Sequence, residues 1–285
     1  MNSDPGVTSS PLSLGFSPCP NDTYIFHALV HGLVDTAGLS FRERLEDVET
    51  LNRLALEGAL DVSKVSYHAL GHLRDDYFLL RAGGALGRGC GPLVVTRDAS
   101  SMAGLRGKPV AVPGRYTTAA LLLRLFDPSL DTLLYLPFHE IMGAVARGEV
   151  AAGVIIHESR FTFPEYGLAK LLDLGDWWER ETGCPIPLGG IVAKRSLGRE
   201  TAAAIERALR ESVLYARNNP AAAKAYIRAH AQEMSDEVCA AHIGLYVNDF
   251  SLDLGSEGEA AVKTLLARGE QAGIFPPSSS PLFAC

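Results

Sequence analysis

Short apolar runs alternate with amphipathic segments along most of the chain. Residues 12–16 read as a strand and residues 22–32 as a helix. Residues 39–45 alternate apolar and charged side chains, the period of a half-buried strand. Asp47 is placed to cap a helix in which Val48, Leu51 and Ala55 share a face and which stops at Gly58. Residues 61–66 predict the next strand, a helix follows through Leu73, and residues 77–81 predict another strand. Ten residues dense in glycine, 83–92, then interrupt the rhythm and read as a flexible or tightly turned crossing.

A second series follows. Strands are expected at 93–97, 109–113, 133–137 and 151–157, with helices over 117–126 and up to Gly148. After residues 188–193 the pattern becomes purely helical. Ile205, Leu209 and Val213 mark one face; Asn219 and Pro220 open a further helix, with Pro in its first turn. Ser235, Asp236 and Glu237 cap another, their acids at the positive end of its dipole. The tail over 276–281 is expected to be an extended strap. Two α/β series joined by a crossing, with a helical return, predict an α/β protein of two lobes, with helices flanking the sheets and a cleft between the lobes. The larger lobe is expected to comprise residues 1–95 and 194–285, the smaller one 96–193. The competing arrangement is one large domain with a glycine-rich surface loop.

Composition narrows the function. With 47% hydrophobic and 21% charged residues the chain is globular, not disordered. Its 26 basic and 33 acidic residues give 26 − 33 = −7, so nucleic acid and anionic membranes are not expected partners. The longest apolar helix is interrupted by Arg124 and no run approaches the ~18 residues of a membrane span, so stable membrane insertion is not expected. The first residues lack the positive charge and apolar stretch of an export signal, so a cytoplasmic protein is expected. Cys19, Cys90, Cys184, Cys239 and Cys285 form no C-x-x-C pair, and neither a zinc knuckle nor a disulfide framework is expected. His27/His31 and His68/His72 lie four apart, but Ala28 and Ala69 stand where H-E-x-x-H needs Glu. No metal site is expected.

Three strand-to-helix junctions carry polar side chains. In residues 17–23, Asn21 or Asp22 can cap the following helix. Lys64, with Val65 and Ser66 at a strand end, supplies a fixed positive charge or a backbone contact, or points to solvent. Thr117 and Thr118 open an apolar helix, where hydroxyls and N–H groups seat a carboxylate or phosphate, or act simply as caps. The glycine stretch contains neither a P-loop nor G-x-G-x-x-G after a strand, and no G-x-S-x-G elbow occurs. His157 ends the run Val154-Ile155-Ile156, where an α/β strand delivers a side chain to a cleft. Imidazole, of pKa ~6.5, is a natural proton acceptor there; the bland alternative is a ring satisfied by a backbone carbonyl.

The stretch Leu14-Gly15-Phe16-Ser17-Pro18-Cys19-Pro20-Asn21-Asp22-Thr23 resembles the amino-terminal signature of the 1,4-dihydroxy-6-naphthoate synthases of the futalosine route to menaquinone. The likeness continues through residues 46–52, 83–89 and 112–118. It is strongest at Ile155-Ile156-His157-Glu158-Ser159-Arg160-Phe161 and reaches Tyr246-Val247-Asn248. The resemblance implies a two-lobed fold like the type II periplasmic binding proteins, with mixed sheets, used as an enzyme. It implies a lyase that cleaves cyclic dehypoxanthine futalosine to 1,4-dihydroxy-6-naphthoate and dihydroxyacetone. The family's proton acceptor falls on His157, and its substrate contacts on Lys64, Val65, Ser66, Thr117 and Thr118. Such chemistry needs one base and a dry pocket, and no redox cofactor or metal. Two alternatives are the chorismate dehydratase of the same pathway and a non-catalytic protein that closes on a small carboxylate.

Overall fold

The computed structural model describes residues 10–157, 159–231 and 235–284. The chain begins with β1 (Leu12–Phe16), α1 (Pro20–Val30), β2 (Phe41–Leu45), α2 (Val48–Leu56), β3 (Val62–Ser66), α3 (Tyr67–Leu73) and β4 (Tyr77–Gly87). It then crosses to β5 (Leu93–Thr96), β6 (Val110–Val112), α4 (Thr118–Phe126), β7 (Leu133–Tyr135), α5 (Phe138–Ala146), β8 (Ala152–Ile155), α6 (Ser159–Thr162), β9 (Ala169–Asp173) and α7 (Leu174–Thr182). It returns along β10 (Ile186–Lys194) into α8 (Arg199–Asn218), α9 (Lys224–His230), α10 (Asp236–Tyr246), α11 (Asp249–Leu252) and α12 (Gly255–Gln271).

Each lobe holds one five-stranded mixed sheet. The first runs β2-β1-β3-β10-β4 and the second β7-β6-β8-β5-β9. In the first, β2, β1 and β3 are parallel, and β10 is antiparallel to both β3 and β4. The second repeats the plan: β7, β6 and β8 are parallel, with β5 antiparallel to β8 and β9. β5 therefore pairs in the second sheet and β10 in the first, so each crossing strand lies in the sheet beyond the division drawn at 95/96 and 193/194.

Local chemistry explains most boundaries. Asp47 caps α2 by accepting from the N–H groups of Glu49 and Thr50. Ser235 caps α10 through the N–H of Val238. α8 buries Ile205, Leu209 and Val213 on one face, roughly 1.5–3 kcal/mol for each side chain removed from water. The strap lies along β4, where Leu79 N–H donates to Leu282 O and Asp75 accepts from Ser278 and Ser280.

Several expectations change. α1 starts at Pro20, not at residue 22, because proline at the first helical position needs no N–H partner and already has helical φ. Neither Asn21 nor Asp22 is its cap; Cys19 occupies that position. Half of the glycine stretch, 83–87, continues β4. A Cβ at Gly83 would press on Ile191 and Leu209, so glycine lets α8 pack closely there. Pro220 lies in a turn and the next helix begins at Lys224. β9 and α7 fall where the pattern predicted no element. No helix among the described residues is long and apolar enough to cross a membrane.

Candidate active site

Four junctions converge on one cavity. β1 enters α1 through Ser17, Pro18 and Cys19; β3 passes directly into α3 at Ser66; β6 leads through Gly114 to α4; and β8 ends two residues before His157. Helix starts at the carboxyl ends of strands present N–H groups that have no intrahelical acceptor. Lys64, Val65, Ser66, Thr117, Thr118 and His157 all line this cavity. Asn21, Asp22 and His242 line it too.

At the first junction Asp22 turns back instead of capping. Its carboxylate accepts from Ser17 N (3.2 Å), Ser17 Oγ (2.7 Å) and Asn21 Nδ2 (2.9 Å), and pairs with Lys64 Nζ at 3.1 Å. Lys64 also donates to Gly83 O (3.2 Å). Both side chains of the pair are buried, so Lys64 is neither directed to solvent nor an unpaired charge. A buried ammonium persists only with such partners.

A carboxylate only accepts, so the amide nitrogen of Asn21 faces Asp22 and its oxygen faces His242, whose Nε2 donates over 2.9 Å. His242 lies fully buried on α10. Burial first, and the neighbouring His157 second, push its pKa down to about 3. It is therefore neutral near neutral pH.

At the second junction Asn52 of α2, wholly buried, grips Ser66. Ser66 N–H donates to its Oδ1 (2.8 Å), and its Nδ2 donates to Ser66 Oγ (3.2 Å). Asn52 thus uses a lone pair of the Ser66 hydroxyl and leaves the proton for another acceptor. At the third, Thr117 caps α4 through Ala120 N–H and donates to Gly114 O (3.0 Å). Thr118 Oγ1 accepts from Tyr67 N–H (3.0 Å) and donates to Leu188 O (2.6 Å). Both threonine protons therefore go to protein carbonyls. What α4 offers the cavity is the N–H groups of Thr118 and Ala119 in its first turn.

His157 adopts φ = +56°, a left-handed conformation costly for any residue with a Cβ. It lies beyond the strand end expected for it, because β8 stops at Ile155. Its Nδ1 is 3.7 Å from Cys19 Sγ. Its ring stands edge-to-face with Phe138, centroids 5.1 Å apart, and nearly parallel to His242 at 6.0 Å and 13°. Three residues on, Arg160 donates to Gly89 O (3.1 Å) and Gly91 O and pairs with Asp173 (3.3 Å). That charged side chain pins the crossing between the lobes. Elsewhere on the cavity wall Val48, Val65, Ala85, Ile156, Leu188 and Tyr246 present a mainly apolar face.

The two histidine pairs lie outside this arrangement. His27 and His31 pack against each other and against Tyr226 in tilted or edge-on contacts, and His68 and His72 pack with Tyr116 and Phe275.

Residues 12–271 match the family described as menaquinone biosynthesis. Over 272 residues the chain is 55% identical to the 1,4-dihydroxy-6-naphthoate synthase of Thermus thermophilus, spanning 95% of this chain and 98% of that one. The enzyme of the same name from Streptomyces coelicolor is 49% identical over 275 residues, 95% and 96% of the two chains. This chain belongs to the menaquinone biosynthesis family. The fold of this family member is shared more widely. The alkanesulfonate-binding protein SsuA from Xanthomonas axonopodis pv. citri, solved with MOPS, superposes with a TM-score of 0.69 at 14% identity, over 94% of this chain and 95% of SsuA. The two-lobed, type II periplasmic-binding-protein-like fold with mixed sheets is thus the one expected.

No motif along the chain assigns Asn52 or His242 to the site. A buried-face amide beside Leu51 and Ala55 is a signal that could have found Asn52, since an amide inside a helix stripe needs a partner. His242 carries no comparable local signal.

Proposed function

We propose that this family member is a carbon–carbon lyase acting in the cytoplasm. It cleaves cyclic dehypoxanthine futalosine to 1,4-dihydroxy-6-naphthoate and dihydroxyacetone, with His157 as general base. Near-full-length identity to two relatives named 1,4-dihydroxy-6-naphthoate synthase supports the product. One observation carries the base assignment: His157 stands in a left-handed turn at the wall of a cavity it shares with Ser66 and the start of α4. Backbone strain at a cleft is retained where a side chain must be aimed.

His157 takes a proton from the sugar-derived part of the substrate, and the electron pair left behind drives carbon–carbon cleavage. Aromatisation of the remaining bicycle makes the step favourable. The apolar wall takes the bicycle. Ser66 donates its proton to an oxygen of the sugar-derived part. The N–H groups of Thr118 and Ala119 hold the carboxylate, where the helix dipole favours an anion. Lys64 and Val65 carry Ser66 into position, and the neutral Lys64–Asp22 pair adds no net charge to compete with the substrate. One base in the cavity suffices, without metal or cofactor.

The test is incubation of the purified protein with cyclic dehypoxanthine futalosine and mass detection of the naphthoate, with chorismate as a parallel substrate. Naphthoate formation is expected; dehydration of chorismate instead would overturn the reading. Replacing His157 with Asn should lower kcat about 10²–10⁴-fold with little change in KM. Near-native kcat removes His157 from this role.

A further inference from the structure

Ser66 stands at the cap position of α3, with the extended backbone of a cap residue, φ = −70° and ψ = 148°. A serine there ordinarily accepts a hydrogen bond from an N–H of the first helical turn, yet the Ser66 hydroxyl makes no such bond. Its oxygen is turned instead toward α2, where Asn52 Nδ2 donates to it over 3.2 Å. Among the described residues nothing accepts the Ser66 proton, and the side chain lines the cavity.

The amide of Asn52, fully buried, fits its surroundings in one orientation only. A backbone N–H can only donate, so Oδ1 faces Ser66 N, at 2.8 Å. The two Nδ2 hydrogens then meet acceptors: Ser66 Oγ and, at 3.5 Å, Oε2 of Glu49 three residues earlier on α2. Turning the amide over would set N–H against N–H at Ser66 and oxygen against the Glu49 carboxylate. The same Oε2 receives Tyr116 N–H from the second lobe over 3.0 Å. The amide is therefore held from both ends, where the two lobes meet.

We infer that Asn52 is a positioning residue, whose amide turns the Ser66 hydroxyl away from α3 and α2 and reserves its proton for an oxygen of the substrate. This rests on the reading of Ser66 as a contact to the sugar-derived part, and gives that contact a direction. A hydroxyl carries one proton, and Asn52, by donating, bars it from going back to α2. A cap serine that neither caps its helix nor gives its proton to the protein is an arrangement that a ligand completes. The substrate group opposite Ser66 is accordingly an acceptor, a carbonyl, ether or developing alkoxide oxygen.

Asn52→Asp keeps the shape and the oxygen that takes Ser66 N–H, but puts a second oxygen where Nδ2 stood. Protonated, that oxygen donates as Nδ2 does; ionised, it only accepts, and Ser66 gives it the proton meant for the substrate. Buried beside Glu49, the new carboxyl ionises above its ordinary range, so kcat/KM is compared with the native value from about pH 6 to pH 9. The ratio should fall as pH rises, to about 5- to 50-fold below native and to the level of Ser66→Ala, and the double variant should be no worse than Ser66→Ala. An amide with a merely structural role gives a pH-independent loss that multiplies with that of Ser66→Ala. If the ratio stays near native throughout while Ser66→Ala is impaired, or if the losses multiply, the inference fails and the Ser66 contact stands. If Ser66→Ala keeps native kcat/KM, the reading of Ser66 itself has failed. Should Asn52→Asp not fold, ¹H–¹⁵N spectra decide: one Asn52 Nδ2 proton resonance of the native protein is expected to move upfield in Ser66→Ala, and unchanged resonances overturn the inference.

Discussion

Glu49, on α2 of the first lobe, accepts the backbone N–H of Tyr116 in the second lobe over 3.0 Å, and its other carboxylate oxygen accepts that of Arg115 over 2.9 Å. Gly114 makes the approach possible: at φ = +152° it carries no side chain, and a Cβ there would collide with the Glu49 carboxylate. Thr118 bridges Tyr67 and Leu188 beside this clasp, and His68 Nδ1 donates to Thr117 O over 3.2 Å. The cleft is thus held together by hydrogen bonds that place helix starts of one lobe against side chains or backbone of the other.

The clasp should respond to pH. Burial raises the pKa of Glu49 above its ordinary 4.5, outweighing the lowering by N–H groups of Tyr116 and Arg115 and by Asn52. A carboxyl with a raised folded-state pKa binds more protons folded than unfolded. Its stabilising contribution is fully present below about 4.5 and is lost as pH rises through the raised value. Thermal unfolding of the native protein and of Glu49→Gln, followed from pH 7 to pH 4, should show the native protein gaining relative to the variant on acidification. A constant difference would refute this.

Thr118→Val preserves shape and removes both interlobe bonds of the hydroxyl. It leaves a buried N–H on Tyr67 without its partner, at a cost of about 1–3 kcal/mol. KM should rise more than kcat falls, and small-angle scattering should report a larger radius of gyration for the variant. An unchanged KM and radius would show that this bridge does not hold the cleft.

Breaking the buried Lys64–Asp22 pair on one side should be expensive. Lys64→Met leaves the carboxylate buried without its cation and should cost about 3–5 kcal/mol in urea unfolding. Combining it with Asp22→Asn should restore part of that loss, since Asn still accepts from Ser17 while carrying no charge. If the two losses simply add, the pair is not coupled.

His68 should make the protein sensitive to acid. Burial pushes its pKa from 6.5 to about 3, so the folded state holds it neutral while the unfolded chain protonates it. Its contribution to stability is present above 6.5 and declines as pH falls toward 3, by about 1.4 kcal/mol per pH unit. His68→Gln can still donate to Thr117 O. It should lose less stability than the native protein between pH 6.5 and 4, as measured by denaturant titration at each pH.

Much of the architecture was legible along the chain. The apolar period marks β1, β3 and α8, Asp47 and Ser235 announce helix starts, and His157 falls just past a run that must be a strand. The glycine stretch was harder, because glycines in a strand look like a loop until Gly83 is seen to sit under Leu209. β9 and α7 were missed because their apolar residues are few and interrupted by charges.

By itself the sequence determined the local elements, the two α/β series and which side chains stand at strand ends, because caps, turns and periodicity act over a few residues. Only the tertiary structure decided which of those side chains meet. Cys19 and His157 are 138 positions apart, and Asn21 and His242 are 221 apart. Asp22 could cap a helix or pair with a lysine, and Thr118 could bind a ligand or bridge two lobes. The outcome depends on which donor the fold places within about 3 Å, and hydrogen bonds act only at that range.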